Sequence, residues 1–89
     1  MKKFIVEYEA KAQKKLDKLD APIRNRIKAW IDKNLVGCEN PRAHGHALTG
    51  RLSDHWRYRI GDYRLISKIL DDKIIILIIN VDKRNDIYK

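Results

Sequence analysis

Arg57, Arg59 and Arg64 crowd into residues 55–65, HWRYRIGDYRL, among Trp56, Tyr58, Tyr63 and Leu65. A guanidinium presents a planar fork of donors that matches phosphate, and it keeps its proton near neutral pH. Three of them in so short a stretch point to an anion site of the kind a phosphate fits. Strand alternation sets them on one side. In WRYRI, Trp56, Tyr58 and Ile60 share one face and Arg57 and Arg59 the other. With Gly61-Asp62 as a two-residue turn, Ile60 pairs with Tyr63 and Arg59 stands opposite Arg64, and Lys68 projects from the same face. Like charges opposed across a hairpin destabilise it. The acids nearest in sequence, Asp54 and Asp62, sit at strand ends or turns. An anion site accounts for this placement better than a solvated polar face does.

The whole chain leans the same way. Its 89 residues carry 20 Lys and Arg against 12 Asp and Glu, a net charge of +8. Such an excess predicts a polyanionic partner: nucleic acid, an acidic protein or an anionic membrane. Residues 42–68 are the most basic stretch, with six basic and two acidic side chains, and they also hold His44, His46 and His55. The C-terminal VDKRNDIYK adds Lys83, Arg84 and Tyr88. A basic surface rimmed by a tyrosine suits single-stranded RNA, because the cations meet phosphates and a base can stack on the ring. A histidine pair offers a second route, acid–base cleavage at neutral pH. His44 and His46 with Cys38 match no usual closed zinc site, and no metal or other cofactor is expected.

The elements that must position these residues follow from periodicity. The chain is short enough for one domain, residues 1–89, with one modest core. It is 44% apolar and 36% charged, with a single cysteine, which fits a soluble protein of a reducing cytoplasm. MKKFIVEYEA has acids where a secretory signal needs apolar residues. The longest apolar run, Ile74 to Ile79, is too short to span a membrane. FIVEY predicts a first strand. Ala12, Leu16 and Leu19 predict a helix over 9–19, and Ile23, Ile27, Ile31 and Leu35, with Trp30 beside them, a second helix opened by Asp20 and Pro22 and stopped near Gly37. Both are basic on their outer faces, as a solvated surface would be. Residues 38–53 read as a loop with one short strand or turn. Strands are predicted over 55–60, 63–70 and 73–81, joined by Gly61-Asp62 and by a tight turn at Asp71-Asp72 or Asp72-Lys73. KIIILIINV, apolar on both faces, is placed centrally in the sheet. The expected fold is α+β in the order β-α-α-β-β-β, two N-terminal helices packed on a small, mostly antiparallel sheet.

NPRAHGHALTG, WRYRIGDYRLI and VDKRNDIY together resemble the RelE branch of the RelE/ParE toxin superfamily. The likeness runs from the LDKLD helix end to Tyr88. It implies a RelE-like, microbial-RNase-type fold and the toxin of a type II toxin–antitoxin system. Such a toxin is a metal-independent endoribonuclease that enters the ribosomal A site and cuts mRNA by driving the 2′-hydroxyl onto the adjacent phosphate. The family's first two basic catalytic positions fall on Arg57 and Arg59, its next arginine on Arg64, the arginine of its KR pair on Arg84 and its C-terminal tyrosine on Tyr88. RNA contacts are expected from Arg42, His46, Arg51, Lys68 and Lys83; a lysine is common in the family at His46. Where members carry lysine at the first two positions an amine can accept a proton, but Arg57 and Arg59 cannot, and they are expected to bind phosphate and stabilise charge. With the sequence ending at Lys89, no counterpart is expected of the C-terminal helix that some members carry. The partners implied are an acidic, partly disordered antitoxin, forming a hetero-oligomer with the toxin, and mRNA with ribosomal RNA. Two rival readings are a ParE-like inhibitor of DNA gyrase and a basic nucleic-acid-binding module without catalysis.

Overall fold

The most apolar run of the chain becomes the strand on which the two parts of the sheet meet. The computed structural model describes residues 2–48, 50 and 54–83. These form β1 (Ile5–Tyr8), α1 (Ala10–Asp17), α2 (Ala21–Asn34), a 3-10 turn (Pro41–Ala43), β2 (His46–Ala47), β3 (Trp56–Ile60), β4 (Tyr63–Leu70), a second 3-10 turn (Asp71–Lys73) and β5 (Ile75–Lys83). One five-stranded sheet has the order β1-β5-β4-β3-β2. Only β1, which pairs with β5, is parallel to its neighbour. The expected α+β fold is therefore present, and the short strand expected between residues 38 and 53 is β2. The apolar run is interior, as expected, but β4 and not β5 is the middle strand. Among the described residues no helix is long and apolar enough to cross a membrane.

Both helices pack on one face. α1 buries Ala12 and Leu16, and the four-residue stripe of α2 buries Ile27 and Ile31, with Leu35 just beyond. They meet Tyr58, Ile60, Leu65, Ile76, Ile78 and Val81 from the sheet, and Phe4 closes one side. Each buried aliphatic side chain contributes about 1.5–3 kcal/mol. Arg24 ties the helices together, its Nη1 donating to the Leu19 carbonyl at 3.2 Å, one of the acceptors left over where α1 ends. Pro22 lies in the first turn of α2. Beyond its end, Gly37 takes a φ of +77°, and its N–H donates to the Phe4 carbonyl at 2.8 Å.

Of the two expected hairpin turns, one holds and one needs correction. The Gly61-Asp62 hairpin is a two-residue turn, with Ile60 paired to Tyr63. The β4–β5 link is longer than a tight turn: a 3-10 turn followed by Ile74 in the left-handed region at φ +57°. β5 consequently starts two residues later than expected and runs on to Lys83. It also carries a bulge, since Ser67 pairs with Ile78 but Ile66 pairs with Asn80, which leaves Ile79 extra. A bulge of this kind reverses the facing of every residue beyond it. Val81 therefore joins the core, while Asn80 and Asp82 turn to the face that the helices leave open.

One close approach holds the loop onto the sheet. Gly45 has φ +80°, and a Cβ on it would overlap the Arg57 carbonyl oxygen and crowd Trp56 Nε1. Gly37 has a similar φ but open space around it. Gly45→Ala should cost roughly 2–5 kcal/mol, combining backbone strain with overlap that β3 cannot relieve, whereas Gly37→Ala should cost about 1–2 kcal/mol. Urea unfolding of the two variants checks the difference.

Candidate active site

The arginine face is built by lateral rows across the sheet. Side chains of directly paired residues lie on the same face. On the side away from the helices one row runs His46, Arg57, Ile66, Asn80, and the next runs Arg59, Arg64, Asp82. Arg59 and Arg64 are thus directly opposed, as the hairpin register predicts. Arg57 and Arg64 are half-buried, while Arg59 and His46 are exposed. Arg26 of α2 comes over the Gly61-Asp62 turn, its guanidinium 3.3 Å from where a Gly61 Cβ would stand.

Asp82, opposite Arg64, is an acid near the arginines that the local sequence did not reveal. Its carboxylate is already engaged. Lys15 of α1 donates to Asp82 Oδ1 at 2.9 Å and to Asn80 Oδ1 at 2.8 Å, and the Asn80 amide donates to the other Asp82 oxygen. This happens where β5 runs past the end of β1, so that a helix lysine can reach its edge. Asp82 stands beside four cations, Lys15, Arg57, Arg59 and Arg64, so among the described residues the balance around the arginines stays positive. Nothing in the sequence marks the pairing, because its partners are separated by 67 positions.

The other expected site residues divide. His46 joins the arginine face beside Arg57. Lys68 shares the face but lies on the order of 13 Å along β4 from Arg64, opposite Leu77. Lys83 pairs with Tyr63 and so projects on the helix side, where Ile23, Arg26 and Tyr63 line a cavity with it. Arg42 is placed away from the cluster: its two terminal nitrogens donate to the Asp71 carboxylate at 3.0 and 2.9 Å. Asp71 follows β4 at the end remote from Arg64, on the order of 20 Å away. Arg51, Arg84 and Tyr88 lie outside the described residues.

The histidines are engaged differently. His55 Nδ1 is 2.7 Å from Asp54 Oδ1, and that hydrogen bond holds the Asp54 carboxyl below its usual range. The His44 carbonyl accepts from Trp56 Nε1 at 2.6 Å, and the His44 ring meets Trp30 edge-on at 5.8 Å. Among the described residues no three His, Cys, Asp or Glu side chains gather as metal ligands. Tyr58 is buried under α2, its hydroxyl donating to the Pro41 carbonyl at 2.6 Å. Burial raises its pKa well above the usual tyrosine value, so it stays a protonated structural donor behind the arginine strand.

Residues 6–88 match the family described as ParE toxin of type II toxin–antitoxin systems, parDE. The chain belongs to this toxin family. Its relatives lie on the RelE branch. Over 83 residues the toxin is 26% identical to the mRNA interferase toxin RelE of Escherichia coli, spanning 91% of this chain and 83% of that protein. Its fold superposes on the toxin–antitoxin complex RelBE2 of Mycobacterium tuberculosis with a TM-score of 0.84 and 27% identity, over 94% of both chains. The isolated E. coli RelE toxin gives a TM-score of 0.74 at 26% identity, covering 96% of this chain and 90% of that one.

Two consequences of the placement can be measured. Tyr58→Phe should lower the toxin's stability by about 1–3 kcal/mol, by leaving the Pro41 carbonyl without its donor, which chemical denaturation would show. The Arg42 guanidinium holds the Asp71 carboxyl below its ordinary value. A depressed folded-state pKa stabilises at pH above the unfolded value, and that contribution is lost as acidification passes the folded one. Arg42→Ala should therefore cost under about 1 kcal/mol at pH 7, since the pair is exposed, and nothing once Asp71 is protonated; melting curves at neutral and acidic pH would test both limits.

Proposed function

We propose that this toxin is a ribosome-dependent endoribonuclease that cuts mRNA in the ribosomal A site. Cleavage runs by attack of a 2′-hydroxyl on the adjacent phosphate, without a metal. The observation that carries the reading is the row Arg59–Arg64 beside Arg57 and His46, on the sheet face opposite α1 and α2. The name of the E. coli relative, an mRNA interferase, supports it.

In that reaction the 2′-hydroxyl loses its proton, its oxygen bonds to phosphorus, and the bond to the 5′-oxygen breaks. A proton then reaches the leaving oxygen, and the products are a 2′,3′-cyclic phosphate and a free 5′-hydroxyl. Arg64, with Arg84, holds the scissile phosphate. Arg57 and Arg59 orient it and offset the charge that builds on the pentacoordinate phosphorus, a role that suits groups unable to deprotonate. Tyr88 meets the 2′-hydroxyl or stacks on a base, and Arg51 and Lys68 contact RNA.

The same face supports an antitoxin as partner, as the solved toxin–antitoxin complex from M. tuberculosis suggests. Beyond the arginines the open face turns apolar in the row Leu70, Ile75, Ile5, with Leu77 between Lys68 and Glu7 in the row before it and Ile5 52% exposed. An acidic, partly disordered chain carrying apolar residues complements both halves and orders as it binds. The ParE description of the family favours one rival, inhibition of DNA gyrase.

Primer extension on mRNA, with and without programmed ribosomes and with or without EDTA, tests the proposal. Cuts within A-site codons are expected only when ribosomes are present, and unchanged by EDTA. Arg64→Ala should slow cleavage roughly 10²–10³-fold, the range for removing one donor to developing charge. Absence of cuts with folded protein, together with inhibited supercoiling by gyrase, would replace this reading with the gyrase one.

A further inference from the structure

Behind the arginine row the toxin has a cleft of about 310 Å³, lined by Trp30, His44, Gly45, His46, Arg57 and Arg59. It lies where β2 stops. β2 covers β3 only at Trp56 and Arg57, so among the described residues the stretch of β3 toward Ile60 has no strand partner on that edge. The His55 carbonyl faces β2, accepting from the Leu48 N–H at 3.1 Å, and the Arg57 carbonyl faces Gly45. Peptide groups of an antiparallel strand alternate between its two neighbours. The N–H and C=O of Arg59 therefore face the uncovered edge.

The cleft is preformed. Trp30 is half-buried, packed on Tyr58 at 5.6 Å between ring centroids and on His44 at 5.8 Å. The Trp56–His44 hydrogen bond and the close approach of Gly45 pin the opposite wall. One enclosure thus combines an aromatic wall, imidazoles, a peptide donor and acceptor, and two guanidinium groups that also belong to the phosphate face. Unpaired RNA bases are recognised by this combination: a ring for the base, polar groups for its edges and cations for the flanking phosphate. The volume lies at the small end for ligand cavities, enough for a single nucleotide and too little for a duplex.

We infer that this cleft takes one unpaired base of the RNA, next to the phosphate held by Arg57, Arg59 and Arg64, with Trp30 as its aromatic wall. The inference deepens the endoribonuclease reading and rests on it for the identity of the ligand. It gives Trp30 and His44 a part in selecting where the chain is held.

Binding of 2′-O-methyl trinucleotides, which cannot be cut, tests this by fluorescence anisotropy with the full-length toxin. An intact trinucleotide is compared with versions made abasic at one position, so that the phosphates stay constant. For the wild type, one abasic position should weaken binding roughly tenfold, the scale of a single base–aromatic contact. Trp30→Ala should abolish that difference and Trp30→Phe should retain most of it. Equal wild-type affinity for the intact and every abasic form would overturn the inference, as would a Trp30→Ala variant that weakens all forms alike. Should circular dichroism show that Trp30→Ala does not fold, His44→Ala at an exposed position takes its place. It should shrink the base-dependent difference several-fold, and an unchanged difference would overturn the inference. A toxin that cuts no mRNA but keeps the base-dependent difference would fail the nuclease reading alone.

Discussion

The bulge in β5 is the constraint on which both faces of the sheet depend. Up to Ile78 the strand alternates in the ordinary way, with Ile76 and Ile78 buried under the helices. Continued alternation would send Asn80 and Asp82 into the core and Val81 out of it. Burying a carboxylate and an amide against Leu16 and Ile27 would cost several kcal/mol without partners. The extra residue at Ile79 avoids this by resetting the alternation. Val81 packs at 4% exposure, and Asn80 and Asp82 emerge where Lys15 satisfies them. The same step brings an acid opposite Arg64 and turns Lys83 away from the arginines.

Among the described residues the sheet is covered by helices on one side, which leaves the other side to be used. Here that side is divided: the arginine rows lie toward β3, and isoleucines and leucines toward β1. The repulsion between Arg59 and Arg64 is tolerated because the sheet beneath is held by a continuous core, in which Tyr58 and Leu65, themselves directly paired, are fully buried. A hairpin destabilised by a fraction of a kcal/mol on one face is secured by several times that on the other. The site is thus a local electrostatic conflict held in place by hydrophobic burial.

The cleft at the edge of β3 follows from the same economy of strands. β2 is two residues long and is held less by its own ladder than by the closeness of Gly45 to β3 and by Trp56. A longer β2 would have covered the edge and closed the cleft. A bulkier residue at position 45 would have pushed the loop, with His44 and His46, away from Trp30 and the arginines.

The sequence by itself determined much of this. Its periodicities located both helices and the strands, because a stripe such as Ile27, Ile31 and Leu35 or an alternation such as Trp56 to Ile60 reports which side is buried. The Gly61-Asp62 turn fixed the register, and with it the opposition of Arg59 and Arg64, since a two-residue loop leaves no freedom in the pairing. Alternation failed where its premise failed. KIIILIINV is apolar on both faces and carries no signal of a bulge, so the facing of Asn80 through Lys83 was decided only by packing. The left-handed Ile74 was equally hidden, because β-branched residues seldom adopt that region. The tertiary structure alone decided the meeting of Lys15 with Asp82, the engagement of Arg42 by Asp71, and the approach of Trp30 and His44 to the arginines. Each joins residues far apart in the chain, and no local pattern encodes which distant side chain will share an edge of the sheet.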